Sequence, residues 1–357
     1  MRHSNLQFYY FKENLQIKSK LEALEYEKIK KKECTFFYND HIYSHLNWKK
    51  EPDGSLFFHY KNQAERLRDV YDYLILCYSG GIDSTNILET FFYNNIKLDK
   101  ILSIGSFSQD SFKGDDTNRN GEIYYNVIPY IEHLGLKNIL QIVDYTKYFS
   151  DLKKLSLLEN KENWIEKTGS WFSPHHWFWR DLICLTVPED MKKKRVGIIF
   201  GRDKPVLDIE DKKYFFRFLD TCCDAYISEG YDPRYDKIDI INFYWDPEYP
   251  WILLKQLHII KKFIEFSNSK QVSIDNYRKV QVIDKIDIHS LVYNLKKPLD
   301  FIGKKSSTGI ISVRDTYLIN KKNSDLYDIY NKGIKKLYNR LGTLEIPGRF
   351  TKKYYIN

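Results

Sequence analysis

Ser79-Gly80-Gly81-Ile82-Asp83-Ser84 is the stretch that decides the fold of this 357-residue chain. It follows Tyr73-Leu74-Ile75-Leu76-Cys77-Tyr78, an apolar run of the length and character of a central parallel strand buried on both faces. Residues 85–94 read as a helix. Two adjacent glycines remove Cβ atoms where strand turns into helix, so backbone N–H groups can approach an anion closely. The positive end of the following helix adds to that attraction. Ser79, Ser84 and Thr85 offer hydroxyl donors to the same oxygens. Asp83 is a carboxylate among phosphates, an arrangement that implies a metal ion, Mg2+, between them. A plain Gly-Gly turn with a Ser or Asp helix cap would use the same glycines. Agreement between the strand, the loop residues and the helix favours the phosphate reading.

Working outward, residues 100–105 form a second strand, 122–134 a helix after the polar loop 106–120, and 139–143 a third strand. Helices dominate 152–185, and residues 195–200 are a fourth strand that ends in the loop Gly201-Arg202-Asp203-Lys204-Pro205. This alternation predicts a doubly wound, mostly parallel α/β sheet over residues 69–210. Ahead of it, residues 7–32 end in a charged amphipathic helix. Residues 35–38, 42–48 and 55–60 then alternate like strands around the turn Glu51-Pro52-Asp53-Gly54, a small β-hairpin unit within residues 1–68, and 62–70 is a short helix. Beyond 210 the rhythm weakens; helices at 251–266 and 324–341 predict a mostly helical C-terminal lobe, residues 211–357, packed on the central domain.

The bulk composition allows this and excludes other classes. A 43% hydrophobic content is ample for a buried core, and 56 Lys and Arg against 48 Asp and Glu leave +8, which permits an anionic partner without requiring one. Cys34, Cys77, Cys184, Cys222 and Cys223 contain no C-x-x-C pair and no zinc spacing, which fits a reducing cytoplasm. The first residues are polar and charged, unlike a signal peptide, and no apolar run approaches the ~20 residues that span a bilayer.

The loop Ser79-Gly80-Gly81-Ile82-Asp83-Ser84 resembles the pyrophosphate loop of the N-type ATP pyrophosphatases, which include asparagine, GMP and NAD synthetases, argininosuccinate synthetase and the tRNA lysidine and thiolation enzymes. The resemblance implies an adenine nucleotide α-hydrolase-like fold, ATP and Mg2+ as cofactors, and adenylation of a carboxylate, amide or base carbonyl with release of pyrophosphate. Ile101-Leu102-Ser103-Ile104-Gly105, Gly121-Glu122-Ile123-Tyr124-Tyr125 and His133-Leu134-Gly135-Leu136 follow the order of the synthetase domain of asparagine synthetases. By that likeness Ser79, Gly80, Gly81, Ile82, Ser84 and Thr85 bind phosphate, while Ser103, Ile104 and Gly105 contact adenine.

Two departures stand out. Asparagine synthetases carry an acidic Gly-Glu-Gly-Ala-Asp-Glu loop after the fourth strand, where this chain has Gly201-Arg202-Asp203-Lys204. There Asp203 would share Mg2+ with Asp83, and Arg202 or Lys204 would neutralise the departing pyrophosphate. The glutamine-dependent enzymes also place a catalytic Cys after the initiator Met, whereas this chain begins Met1-Arg2-His3 and has about 70 residues before the strand, too few for a glutaminase domain. The expected partners are therefore a small carboxylate or amide acceptor and an amine, or ammonia from a separate donor. A tRNA or DNA base as acceptor, and ATP binding without turnover, stand as alternatives.

Two aromatic clusters stay ambiguous between pocket wall and packing. One is Trp164, Trp171, Trp177 and Trp179 with His175, His176 and Arg180; the other is residues 243–251 with Lys255, Gln256 and His258.

Overall fold

The computed structural model describes residues 7–11, 15–105, 122–144, 161–166, 186–201, 207–220, 237–266, 291–293, 295–296 and 324–356. The chain opens with β1 (Gln7–Tyr10), β2 (Gln16–Ile17), helix α1 (Lys20–Lys30) and β3 (Thr35–Tyr38). These strands make an antiparallel sheet in the order β2-β1-β3. The expected hairpin across residues 35–60 is therefore corrected: only 35–38 is a strand, and its neighbour comes from residues 7–10. A short helix, α2 (Asp40–Tyr43), takes up part of 42–48, and the third expected strand is the start of helix α3 (Leu56–Val70). The reason lies in capping and period. The Ser55 hydroxyl accepts the Phe58 N–H at 3.1 Å, and Leu56, His59, Tyr60, Gln63, Ala64 and Leu67 form a buried stripe at helical spacing. Phe57 and Phe58 are half exposed, and it is their aromatic character that imitates a strand.

The central sheet begins with β4 (Tyr73–Cys77), followed by helix α4 (Ile82–Tyr93) and β5 (Lys100–Gly105). A π-helical turn, Ile123–Val127, runs into helix α5 (Ile128–His133), and then comes β6 (Leu140–Asp144). After the 3-10 turn Lys161–Glu166 the chain forms β7 (Val196–Phe200), the hairpin β8 (Leu207–Glu210) and β9 (Lys213–Phe216), and β10 (Ile238–Asn242). Helices α6 (Trp251–Phe266) and α7 (Ser324–Leu341) and strand β11 (Tyr354–Tyr355) complete it.

The five strands β10-β7-β4-β5-β6 pair in that order and are all parallel. Chain order thus runs outward from β4 in one direction through β5 and β6, then returns to its other side through β7 and β10. This is the doubly wound arrangement expected from the alternation. Its fifth strand, Ile238–Asn242, comes from beyond residue 210, inside the stretch expected to be mostly helical. Side chains alternate between two cores. Leu74, Leu76, Ile101, Ile199 and Ile241 pack in the first with residues of α3, α4, α5 and α6. Ile75, Leu102, Val196 and Ile198 pack in the second with Leu21 and Leu24 of α1, Trp164, Ile165 and Leu337 of α7. Helices on both faces explain why Leu74, Ile75 and Leu76 are all fully buried.

The N- and C-terminal strands are tied to each other. β9 pairs with both β8 and β11, the Phe36 N–H donates to the Phe350 carbonyl at 2.9 Å, and the Tyr354 hydroxyl donates to Asp40 at 2.7 Å. Lys20 and Asp220 form a fully buried ion pair at 2.9 Å, to which the Tyr9 hydroxyl also donates. Among the described residues no helix is long and apolar enough to cross a membrane.

Candidate functional site

Ser79-Gly80-Gly81 connects the C-terminal end of β4 to the N-terminus of α4. In a doubly wound sheet ligands bind beyond the carboxyl ends of the strands where the winding direction reverses, which here is between β4 and β7. Gly201, the first residue after β7, packs against that point: a Cβ on it would stand 2.9 Å from the Ser84 nitrogen and 3.0 Å from the Asp83 carbonyl carbon. The two glycine-bearing loops noted in the sequence therefore meet. Arg202, Asp203 and Lys204, the other residues expected to act in the second loop, lie outside the described residues.

Within the first loop the hydroxyls organise the turn. Ser79 Oγ accepts the Gly81 N–H at 3.2 Å and lies 3.1 Å from Ser84 Oγ, while Ser84 Oγ donates to the Gly81 carbonyl at 3.1 Å. Ser79 is exposed, and Gly81, Ile82 and Asp83 are half-buried. Gly80 has φ +80°, in the left-handed region, and a Cβ there would come within 2.9 Å of Asn126 Cβ on the π-helical turn. Gly81 caps α4 without a side-chain hydrogen bond, and its carbonyl accepts the Thr85 N–H at 3.0 Å as the helix begins. An exposed serine hydroxyl at the N-terminus of a helix, on a backbone no side chain could replace, suits a phosphate chain. Asn126 Oδ1 on the π-helical turn beside Gly80 is buried with no hydrogen-bond partner among the described residues.

The other expected residues are placed as follows. Thr85 is buried, with its hydroxyl 3.3 Å from that of Tyr78. Ser103 is buried and donates to the Tyr78 carbonyl at 2.5 Å, which ties the end of β5 to the start of the loop. Ile104 and Gly105 close β5 beside Val143 and Asp144 of β6.

Asp83 sits in the first turn of α4 inside a cluster of tyrosines. The Tyr293 hydroxyl donates to the Asp83 carboxylate, and the Tyr244 hydroxyl donates to the Asp83 backbone carbonyl at 2.7 Å. Asn86 Nδ2 donates in turn to the Tyr244 oxygen at 3.1 Å. Burial first, and the neighbouring Tyr60 and Asp83 after it, push the Tyr244 hydroxyl well above the ordinary tyrosine range. Tyr293 is raised by burial, then by Tyr244, Asp83 and Tyr60. Both are neutral donors. Among the described residues no group of three His, Cys, Asp or Glu could hold a metal ion.

No protein-family model matches the chain, and no curated protein matches it. Among solved structures it is similar to NMN synthetase from Francisella tularensis, with 12% identity and a TM-score of 0.26 over 83% of this chain and 99% of that one. The fold described above rests on the chain's own strand pairing.

Sequence reasoning left the aromatic clusters open, and the structure divides them. Trp164 is fully buried, stacks on Tyr330 at 5.3 Å and donates to the Ile329 carbonyl, which is packing of α7. Trp171, His175, His176, Trp177, Trp179 and Arg180 lie outside the described residues. In the second cluster Tyr244 reaches the loop, while Lys255 pairs with Glu51, Gln256 donates to Tyr60 and His258 lies 3.0 Å from the Trp48 carbonyl. Those three fasten α6 to the N-terminal unit. Tyr293 and Asn126 carried no signal in the sequence, since neither belongs to a motif.

Proposed function

We propose that this chain is an ATP pyrophosphatase that adenylates a carboxylate or carbonyl acceptor and passes it to ammonia or an amine, in the manner of the synthetase domain of an asparagine synthetase. The observation that carries the reading is the Ser79–Ser84 turn at the point where the sheet winding reverses, with Asp83 in the first turn of α4 and Gly201 packed against it. In this reading the amides of the turn and the Ser79 hydroxyl hold the β- and γ-phosphates, while Ser84 braces the turn through the Gly81 carbonyl. An acceptor oxygen attacks the α-phosphorus, the bond to the oxygen shared by the α- and β-phosphates breaks, and pyrophosphate leaves. The amine nitrogen then displaces AMP. Mg2+ held between Asp83 and the phosphates would offset the charge that collects on pyrophosphate. Arg202, Asp203 and Lys204 are proposed to complete that stabilisation from the second loop.

The test is to measure pyrophosphate against phosphate release from ATP and Mg2+, with and without pooled carboxylates, ammonia and tRNA. Pyrophosphate with AMP is the expected outcome, and the pool that stimulates it identifies the acceptor class; stimulation by tRNA would move the acceptor to a nucleic-acid base. ATP binding with neither product would mean a binding protein. Asp83→Ala is expected to lower pyrophosphate release by on the order of 100-fold; intact release in that variant would remove Asp83 from the site.

A further inference from the structure

Tyr293 comes to the loop from a segment 210 residues further along the chain. Its hydroxyl donates to Oδ1 of Asp83. The ring is held by neighbours: Tyr244 at 5.5 Å between centroids and Tyr60 at 6.5 Å. Its backbone is held too. The Tyr60 hydroxyl of α3 donates to the Val292 carbonyl at 2.6 Å, and Gln256 of α6 donates to the Tyr60 oxygen at 2.9 Å. Three residues on, the Lys296 N–H donates at 2.6 Å to Glu89 of α4, and the Lys296 ammonium lies 4.1 Å from the centre of the Tyr93 ring. Glu89 is itself fixed by the Tyr130 hydroxyl of α5 at 2.5 Å. The segment is thus attached to the same helix that carries Asp83, and Tyr293 is 4% exposed.

We infer that Tyr293 is a positioning residue for the metal carboxylate: by donating to Oδ1 it fixes the rotation of the Asp83 side chain and so its orientation toward Mg2+ at the phosphates. This rests on the ATP pyrophosphatase reading. The physical reason is general. A carboxylate on a helix end turns freely about its last bond, and a ligand that must turn to meet its metal pays entropy at that moment; a donor from the surrounding shell removes the freedom in advance. Tyr293 suits the task because it is buried among rings, which keeps its proton in place and its own rotation small. Tyr244 has a complementary part, since it donates to the backbone carbonyl of the same residue and so fixes the main chain rather than the carboxylate.

The experiment uses the full chain and α,β-methylene-ATP, which cannot lose pyrophosphate. Mn2+ is titrated into that complex and followed by electron paramagnetic resonance, alongside the Mg2+ dependence of pyrophosphate release from ATP. Tyr293→Phe is expected to raise half-saturating Mn2+ and Mg2+ by about ten-fold. Tyr354→Phe, which loses a tyrosine bond to the Asp40 carboxylate elsewhere in the fold, is expected to leave both unchanged. On an Asp83→Asn background Tyr293→Phe should add nothing further. Unchanged metal dependence in folded Tyr293→Phe overturns the inference, as does an equal shift in Tyr354→Phe. A near-isosteric substitution guards against misfolding: site-specific 3-fluorotyrosine at position 293 should show a fluorine resonance that moves when Mg2+ and α,β-methylene-ATP bind, and a stationary resonance in the bound complex overturns the inference. If the wild-type chain neither binds the Mn2+ complex nor releases pyrophosphate, the reading of the site fails with it; a competent wild type with an unaltered variant fails the positioning inference alone.

Discussion

At Gly80 the backbone has φ +80°, and a Cβ would lie 2.9 Å from Asn126 Cβ and 3.1 Å from Val127 Cγ2. Alanine is disfavoured there both by the left-handed conformation and by the π-helical turn opposite it. Gly80→Ala is therefore expected to cost roughly 1–3 kcal/mol of stability and to weaken ATP binding by more than its neighbour Ser79→Ala does. Chemical denaturation and equilibrium dialysis on the two variants check this; equal binding in Gly80→Ala and wild type would mean that the loop is not the phosphate site. The glycine pair is legible in the sequence because a residue without a Cβ marks its own exception. Tyr293 and Asn126 were not legible, because a tyrosine in a loop and an asparagine on a helical turn look the same wherever they point.

Between elements, Asp99 ties the end of α3 to the start of the central sheet. It pairs with Arg68 at 2.6 Å and accepts the Leu74 N–H at 2.9 Å. Burial pushes its carboxyl up, but Arg68, Lys97 and the Leu74 N–H together hold it below the ordinary carboxylate range. A carboxyl lower in the folded chain than in the unfolded one contributes stability that is complete above the unfolded value and is lost as pH falls through the folded one. The melting temperature of the wild type should accordingly fall between about pH 5 and pH 3, and Asp99→Asn, less stable at neutral pH, should fall less across that window. A parallel fall in both proteins would show that other carboxylates carry the acid sensitivity. Strands β4 and β5 and helices α6 and α7 were legible as elements, since a buried parallel strand is an unbroken apolar run and a packed helix repeats at 3.6 residues. Helix α3 was misread at its start because exposed Phe57 and Phe58 carry strand-like chemistry on a helix whose buried stripe lies one residue away.

Over the whole molecule, the last residues hold the N-terminal unit to the rest. Tyr354 is 4% exposed and Ile356 1%, Arg349 pairs with Glu27, and Tyr354 and Lys352 lie at the Asp40 carboxylate. Burying two such side chains is worth roughly 3–6 kcal/mol, a large part of an ordinary stability of about 5–15 kcal/mol. Deletion of residues 349–357 is thus expected to lower the denaturation midpoint steeply and to expose the buried Phe36–Tyr38 region to proteolysis; an unshifted midpoint would show that the terminus is dispensable. By itself the sequence determined the α/β class, the central strand with its glycine loop, and the helix behind it. Each of those depends on residues adjacent in the chain, through apolar periodicity or the lack of a Cβ. Tertiary structure decided what depends on residues far apart: the order β10-β7-β4-β5-β6, the meeting of Gly201 with Ser84, and the arrival of Tyr244 and Tyr293 at Asp83. Strand order is set by how two cores share one sheet, and no local pattern encodes which strand lies beside which.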